Sequence, residues 1–314
     1  MHFRYLAAAL GLLVTTCAAE ALKGFNYGAK THGDACQTYI GFKQLFERAK
    51  TLHGTSGFTT ARLYTSIQCG TEAAPIEAYQ AAVDTDTKIL VGLWASAGRQ
   101  VFENELKALL EAAKTLGNAF TDRIVGISVG SEDLYRSSPD GIANNAGAGA
   151  TAGEIHGYIG WLRDVAKGTL LEGKRITHVD TWTAWVLPES HGVIGAVDFL
   201  SHNSFPYFES TRPNGIDKAV ENFFSAVSAT ESVAQGKEVW ITETGWPGTG
   251  PVLRDAVPSL YNAQAYWKTV GCSLFGKRNA FWYTLTDGIT SASELSFGIT
   301  PVFIGTPKFN LTCP

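Results

Sequence analysis

From residue 24 onward the chain alternates short apolar runs, rich in β-branched and aromatic residues, with longer amphipathic ones. Strand-like runs fall at residues 24–27, 60–64, 89–94, 124–129, 176–180, 199–203, 238–242 and 280–285. Helix-like runs separate them at 40–52, 101–116, 153–168, 216–234 and 260–275. Strands joined by helical crossovers pair in parallel, and the crossovers cover both faces of the sheet. Eight such strands predict an α/β fold closed into a (β/α)8 (TIM) barrel, which takes about 250 residues as one domain. An open doubly wound sheet is the alternative, but no glycine-rich phosphate loop follows the first strand.

The first residues do not fit that scheme. His2 and Arg4 precede an apolar run from Leu6 to Val14, and Cys17 and Ala19 are small residues suited to a cleavage site. Residues 1–19 therefore read as a secretory signal peptide, too short to span a bilayer, and residues 20–314 as the barrel. The expected location is extracellular or in a cell wall. No apolar tail follows Asn310, so no lipid anchor is expected there, and Asn310-Leu311-Thr312 is a glycosylation sequon. The small-residue stretch 144–153 reads as a loop.

Once Cys17 leaves with the leader, Cys36, Cys69, Cys272 and Cys313 remain for an oxidising compartment. Of three pairings, Cys36–Cys69 and Cys272–Cys313 suit the strand placement: the first two follow neighbouring strands, and the others lie on the last helix and in the tail. A formal charge of −4 without any Lys/Arg cluster argues against nucleic acid and anionic membranes, and suits a neutral polymer. A monomer is expected.

Glu132 follows the fourth strand and Glu243 ends the seventh. Catalytic residues of parallel barrels sit where strands end, and strands four and seven face each other across the mouth. A carboxylate closing an apolar run such as Val239–Ile241 needs a partner or a purpose, and Arg62, ending the second strand, is the candidate partner. Two carboxylates flanking one sugar are the equipment of a glycosidase. Tyr27, Tyr64, Trp94, Trp182, Phe205, Tyr207, Trp246 and Trp282 also gather at strand ends, as expected of a cleft that stacks on sugar faces. Trp161, Trp240 and Trp267 are assigned to packing.

Trp240-Ile241-Thr242-Glu243-Thr244-Gly245-Trp246-Pro247 resembles the signature of glycoside hydrolase family 17, the β-1,3-glucan-active barrels of plants and fungi. Gly24-Phe25-Asn26-Tyr27-Gly28, Arg62-Leu63-Tyr64, Val129-Gly130-Ser131-Glu132, Leu134-Tyr135-Arg136 and Phe205-Pro206-Tyr207-Phe208 extend the resemblance in order along the chain. It implies Glu132 as general acid/base and Glu243 as nucleophile of a retaining reaction, with Tyr27, Arg62, Tyr64, Ser131, Tyr207 and Trp246 around the central sugar sites. Ser131 stands where many relatives carry Asn, which resembles the fungal glucanosyltransferase branch. The resemblance thus implies a secreted β-1,3-glucan-active enzyme that hydrolyses or transfers. Asp287 and Glu294 enter as rim candidates.

Three other readings compete with this one. Gly126-Ile127-Ser128-Val129-Gly130 matches the pattern of a serine esterase, but Ser128 lies within a strand instead of at the sharp turn that chemistry requires. The seven His residues show no metal-ligand spacing, so no metal or other cofactor is expected. A barrel that holds glucan without cleaving it is the rival from another class, and retention of both Glu residues argues against it.

Overall fold

The computed structural model describes residues 20–289, 291–301 and 305–314. The expected signal peptide lies outside the described residues. Strands β1 (Lys23–Tyr27), β2 (Thr60–Leu63), β3 (Lys88–Leu93), β4 (Ile124–Ser131), β5 (Ile176–Thr181), β6 (Leu200–Asn203), β7 (Val239–Glu243) and β8 (Ala280–Trp282) close into a barrel in sequence order. Every pairing is parallel, including β8 with β1. The closed parallel barrel is as the alternation predicted, and the open sheet is excluded.

Outside the strands lie α1 (Tyr39–Lys50), α2 (Ala78–Thr85), α3 (Arg99–Leu116), α4 (Asn118–Thr121), α5 (Asp133–Ser137), α6 (Pro139–Ala143) and α7 (Ala152–Ala166). They are followed by α8 (Trp182–Trp185), α9 (His191–Ala196), α10 (Ala219–Val233), α11 (Leu260–Tyr266) and α12 (Cys272–Leu274). A π-helical turn, Trp267–Gly271, joins the last two. Five of these helices start on a side-chain cap. Thr38 accepts from the Gly41 amide ahead of α1, and Thr151 and Glu154 form a reciprocal capping box on α7. α1 buries Phe42, Phe46 and Ala49, one stripe of a 3.6-residue period, against the strands. Among the described residues no helix follows β8, and none is long and apolar enough to cross a membrane.

Two apolar layers result. The larger lies between strands and helices, and a small separate cluster of Leu90, Phe199, Trp240 and Phe281 forms a second. Gly24 makes room for that cluster. A Cβ there would sit 2.6 Å from the Phe281 ring and 2.5 Å from the Thr60 carbonyl oxygen.

Both expected disulfides are present, Cys36–Cys69 and Cys272–Cys313. The first ties the loops after β1 and β2. The second fastens the tail, where Leu311 is buried and its carbonyl accepts from the Trp267 indole at 2.8 Å. The loops they close span 33 and 41 residues. In the chain-entropy model each contributes about 4 kcal/mol.

Candidate active site

Both carboxylate-bearing strands pass a register irregularity immediately before their glutamate. The β4–β5 pairing slips between Ser128 and Ser131, and the β6–β7 pairing slips at Asn203, which lies opposite Glu243. Such slips re-aim the side chains that follow. In the first, Ser128 donates to the Gly130 carbonyl at 2.6 Å inside β4. Gly130 takes a φ of +81°, and a Cβ there would lie 2.1 Å from the Asp133 carboxylate. Glu132 itself adopts a left-handed φ of 60°, a conformation that costs a non-glycine residue about 1 kcal/mol or more. Its amide donates to the Val179 carbonyl of β5 at 2.8 Å, and its side chain turns into the cleft.

The two glutamates meet different partners. Glu243 is nearly buried, and Arg62, itself 1% exposed, pairs with its Oε1. The Tyr64 hydroxyl donates to the same oxygen at 2.8 Å. Among the described residues no donor is placed on Oε2. An ion pair this deep needs further hydrogen bonds to its remaining donors, and of the guanidinium nitrogens only Nε is left without a partner among the described residues. Arg62 accordingly also donates to Asn26 Oδ1 at 2.8 Å and to Ser131 Oγ at 2.9 Å. Asn26 in turn donates to the Thr242 and Trp282 carbonyls, which locks the clamp to β7 and β8.

Glu132 instead accepts at Oε1 from Asn203 Nδ2, 3.0 Å away, and lies 3.7 Å from Arg136. Thr242 orients that amide by donating to Asn203 Oδ1 at 2.9 Å. Burial, and then the charge of Glu243, push the Glu132 carboxyl up to about 7, against the pull of Asn203 and Arg136. One carboxyl is therefore held by a cation and a phenol. The other is poised to carry a proton near neutrality.

The structure thus gathers Glu132, Glu243, Arg62, Tyr64 and Ser131, all named from sequence. Ser131 reaches Arg62, so its hydroxyl serves the clamp. Tyr27, Tyr207 and Trp246 are different: expected to offer ring faces to a ligand, they are 5%, 0% and 2% exposed. Tyr207 donates to the Pro251 carbonyl and Trp246 to the Val257 carbonyl, while the Tyr27 ring packs edge-on against Phe46. Trp282 is likewise core, packed on Trp267. The open aromatic surface consists of half-buried Tyr64, Trp94, Trp182, Phe205 and Tyr283, with Phe208 exposed. Phe205 packs edge-to-face against Tyr283 at 5.6 Å and Phe208 at 5.9 Å. Asp287 folds inward onto the Phe297 and Gly298 amides and holds its own loop.

Asn26, Asn203 and Tyr283 were not singled out from sequence. Two of them carried a signal, a carboxamide near the end of an apolar strand. Beside the pair, a groove of about 1510 Å³ opens at Tyr64 and Tyr283 and runs along α1 past Gln44 and Arg48 to His53.

The BtgE/BtgC glycoside hydrolase domain model matches residues 24–298. A probable glucan endo-1,3-beta-glucosidase of Aspergillus fumigatus is 48% identical over 314 residues, covering 100% of this chain and 70% of that protein. The glycoside hydrolase family 17 beta-1,3-glucanosyltransferase from Rhizomucor miehei superposes with a TM-score of 0.67 at 24% identity, over 84% of this chain and 86% of that one. An active-site mutant of the Rhizomucor miehei enzyme in complex with laminaritriose gives a TM-score of 0.69 at 24% identity, over 88% and 92%.

Proposed function

The chain belongs to the BtgE/BtgC glycoside hydrolase family, and from that premise we propose that it is a secreted, retaining β-1,3-glucan-active enzyme that hydrolyses glucan and transfers it to a second chain during wall remodelling. Glu243 is the nucleophile and Glu132 the acid/base. The observation that carries this reading is the asymmetry of the pair: Arg62 and Tyr64 converge on one oxygen of Glu243, while Glu132 is pushed up to about 7. The glucan specificity rests on the Aspergillus relative, a probable glucan endo-1,3-beta-glucosidase, and is supported by the Rhizomucor beta-1,3-glucanosyltransferase and its complex with laminaritriose.

Arg62 and Tyr64 occupy Oε1 of Glu243, so Oε2 is the oxygen that attacks the anomeric carbon. As that bond forms, Glu132 gives its proton to the departing glycosidic oxygen. The charge on Glu243 is spent in the ester bond, and Glu132 is now the anion. In the second step Glu132 takes a proton from water or a sugar hydroxyl, whose oxygen displaces Glu243 and returns the β configuration. Acceptor choice separates hydrolysis from transfer. With Tyr207 and Trp246 enclosed, Phe205, Phe208 and Tyr283 are the rings placed to hold a sugar acceptor, and a held acceptor competes with water through its effective concentration.

Incubating purified protein with a single laminari-oligosaccharide at millimolar concentration tests both halves. Products both shorter and longer than the starting chain, all β-linked, are expected. Only shorter products would remove transfer and leave a plain glucanase; no change in the chain would remove the enzyme.

A further inference from the structure

Beneath Glu132 lies a titratable group that the reaction does not touch. His178 of β5 is completely buried, and so is Asp180 two residues on. The imidazole Nδ1 is 2.6 Å from the Val129 carbonyl oxygen, and Nε2 is 2.9 Å from Asp180 Oδ2. A backbone carbonyl can only accept. Asp180 is also committed as an acceptor: it takes the amides of Leu134 at 2.9 Å, Tyr135 at 3.3 Å and Thr181 at 2.7 Å. Three amide donors and one ring nitrogen leave its carboxylate no favourable place for a proton. With acceptors on both sides, both ring nitrogens must donate. The Trp185 ring of α8 closes the pocket edge-on at 5.6 Å.

A second buried carboxylate completes the cluster. Asp133 accepts from the Ser131 amide at 2.7 Å and from Ser96 Oγ at 2.6 Å. Asp133 and Asp180 therefore grip the amides of residues 131, 134 and 135, on either side of Glu132. Two carboxylates stacked under a group that must hold a proton would repel its anion. A cation between them offsets one of those charges.

We propose that His178 is a doubly protonated imidazolium, the buried counter-charge to Asp133 and Asp180, and that it is a positioning residue for the Glu132 loop. The proposal rests on the reading of Glu132 as acid/base only for its kinetic half. Burial by itself would push His178 down, but Asp180 and then Asp133 outweigh it and hold the ring above its ordinary value. Glu132 is faced by Glu243 from β7, Asp180 from β5, Arg136 from α5 and Arg62 from β2, with the Tyr283 phenol across the cleft.

Ring-nitrogen NMR of the full-length protein labelled at histidine tests the charge directly. At pH 7 His178, assigned by its loss in His178→Gln or in His178→Gln/Asp180→Asn, is expected to show two protonated nitrogens. A bare ring nitrogen at that pH overturns the proposal.

The kinetic test uses the alkaline limb of kcat/KM on a laminari-oligosaccharide. If His178 is charged, the cluster carries −2 + 1 = −1; His178→Gln makes it −2, and the double variant returns it to −1. The limb should rise by about 0.5–1 pH unit in the single variant and return in the double. A neutral histidine gives the opposite pattern, an unmoved limb in the single variant and a lowered one in the double. If the single variant fails to fold while the double folds, the charge account stands; if neither folds, His178 is assigned in the native spectrum by elimination, through single replacements of His32, His53, His156, His191 and His202, and that spectrum decides. Loss of glucan activity from the native protein would sink the Glu132 reading and leave the ring-nitrogen result to decide His178.

Discussion

At the level of single residues, the proposed division of labour between Glu132 and Glu243 has consequences that differ for each. Replacing Glu243 by Ala removes the bond-forming oxygen, so turnover should vanish on natural and activated substrates alike. Azide should then restore turnover of an activated aryl glycoside, giving the inverted α-azide. Glu132→Ala leaves the nucleophile intact, and on natural glucan it should cost about 10²–10⁴-fold, the usual size of a general-acid effect. Aryl glycosides with good leaving groups should still form the intermediate, and azide should then give the β-azide. The same azide anomer from both variants would contradict the assignment. The proton on Glu132 also sets a pH limb. Because its carboxyl is pushed up to about 7, the acid form is present below that value and is lost as pH rises through it, so kcat/KM should fall on the alkaline side with a midpoint near 7. A profile flat through that range would mean that another group supplies the proton.

Among the secondary-structure elements, α3 shows how a helix in the outer layer holds the mouth in shape. Glu105, 1% exposed, reaches from α3 to the loop after β2, where it accepts from the Ser66 amide at 2.6 Å and from the Thr65 hydroxyl. Burial pushes it up to about 7, against those donors. A carboxyl raised on folding contributes stability that is fully present below its unfolded value and lost as pH rises through its folded one. Between about pH 4.5 and 7 this group should therefore withdraw on the order of 3 kcal/mol. Glu105→Gln should flatten that decline in urea melts compared at pH 5 and pH 8, and an unchanged slope would show the carboxyl is not the cause. The tail offers a second element-scale test. With the Cys272–Cys313 loop opened, Cys272→Ser/Cys313→Ser should lose about 4 kcal/mol at most, read as a lower urea midpoint.

The whole molecule is a barrel whose one end is filled and whose other end is chemical. Phe281 belongs to the small separate cluster and is completely buried, so Phe281→Ala should cost about 3–5 kcal/mol while leaving the proposed site groups in place. Lost stability with retained kcat in the cold is the expected pair of results. The proposed secretion carries a prediction at this scale too: protein recovered from the medium should begin near Glu20, which Edman sequencing would read directly, and an intact Met1 there would count against the proposed leader. Much of this architecture is local information. Alternating runs of period 2 and 3.6 specify strands and helices one after another, and eight of them leave few closed parallel arrangements. The strand-end placement of Glu132 and Glu243 was legible because each directly follows or closes an apolar strand, and the two disulfides because their cysteines fall in neighbouring elements. What the sequence could not decide is which strand-end side chains face the cleft. Tyr207 and Trp246 sit in motifs as aromatic as Tyr64 does, yet they are enclosed, hydrogen-bonded to the Pro251 and Val257 carbonyls, whereas Tyr64 stays partly open beside Glu243. Asn203 and Asn26 gain their meaning only from partners 71 and 36 residues away. The charge on His178 is likewise a tertiary property. An imidazole has no fixed charge in a sequence, and only two acceptors brought to its two nitrogens by the closed barrel give it one.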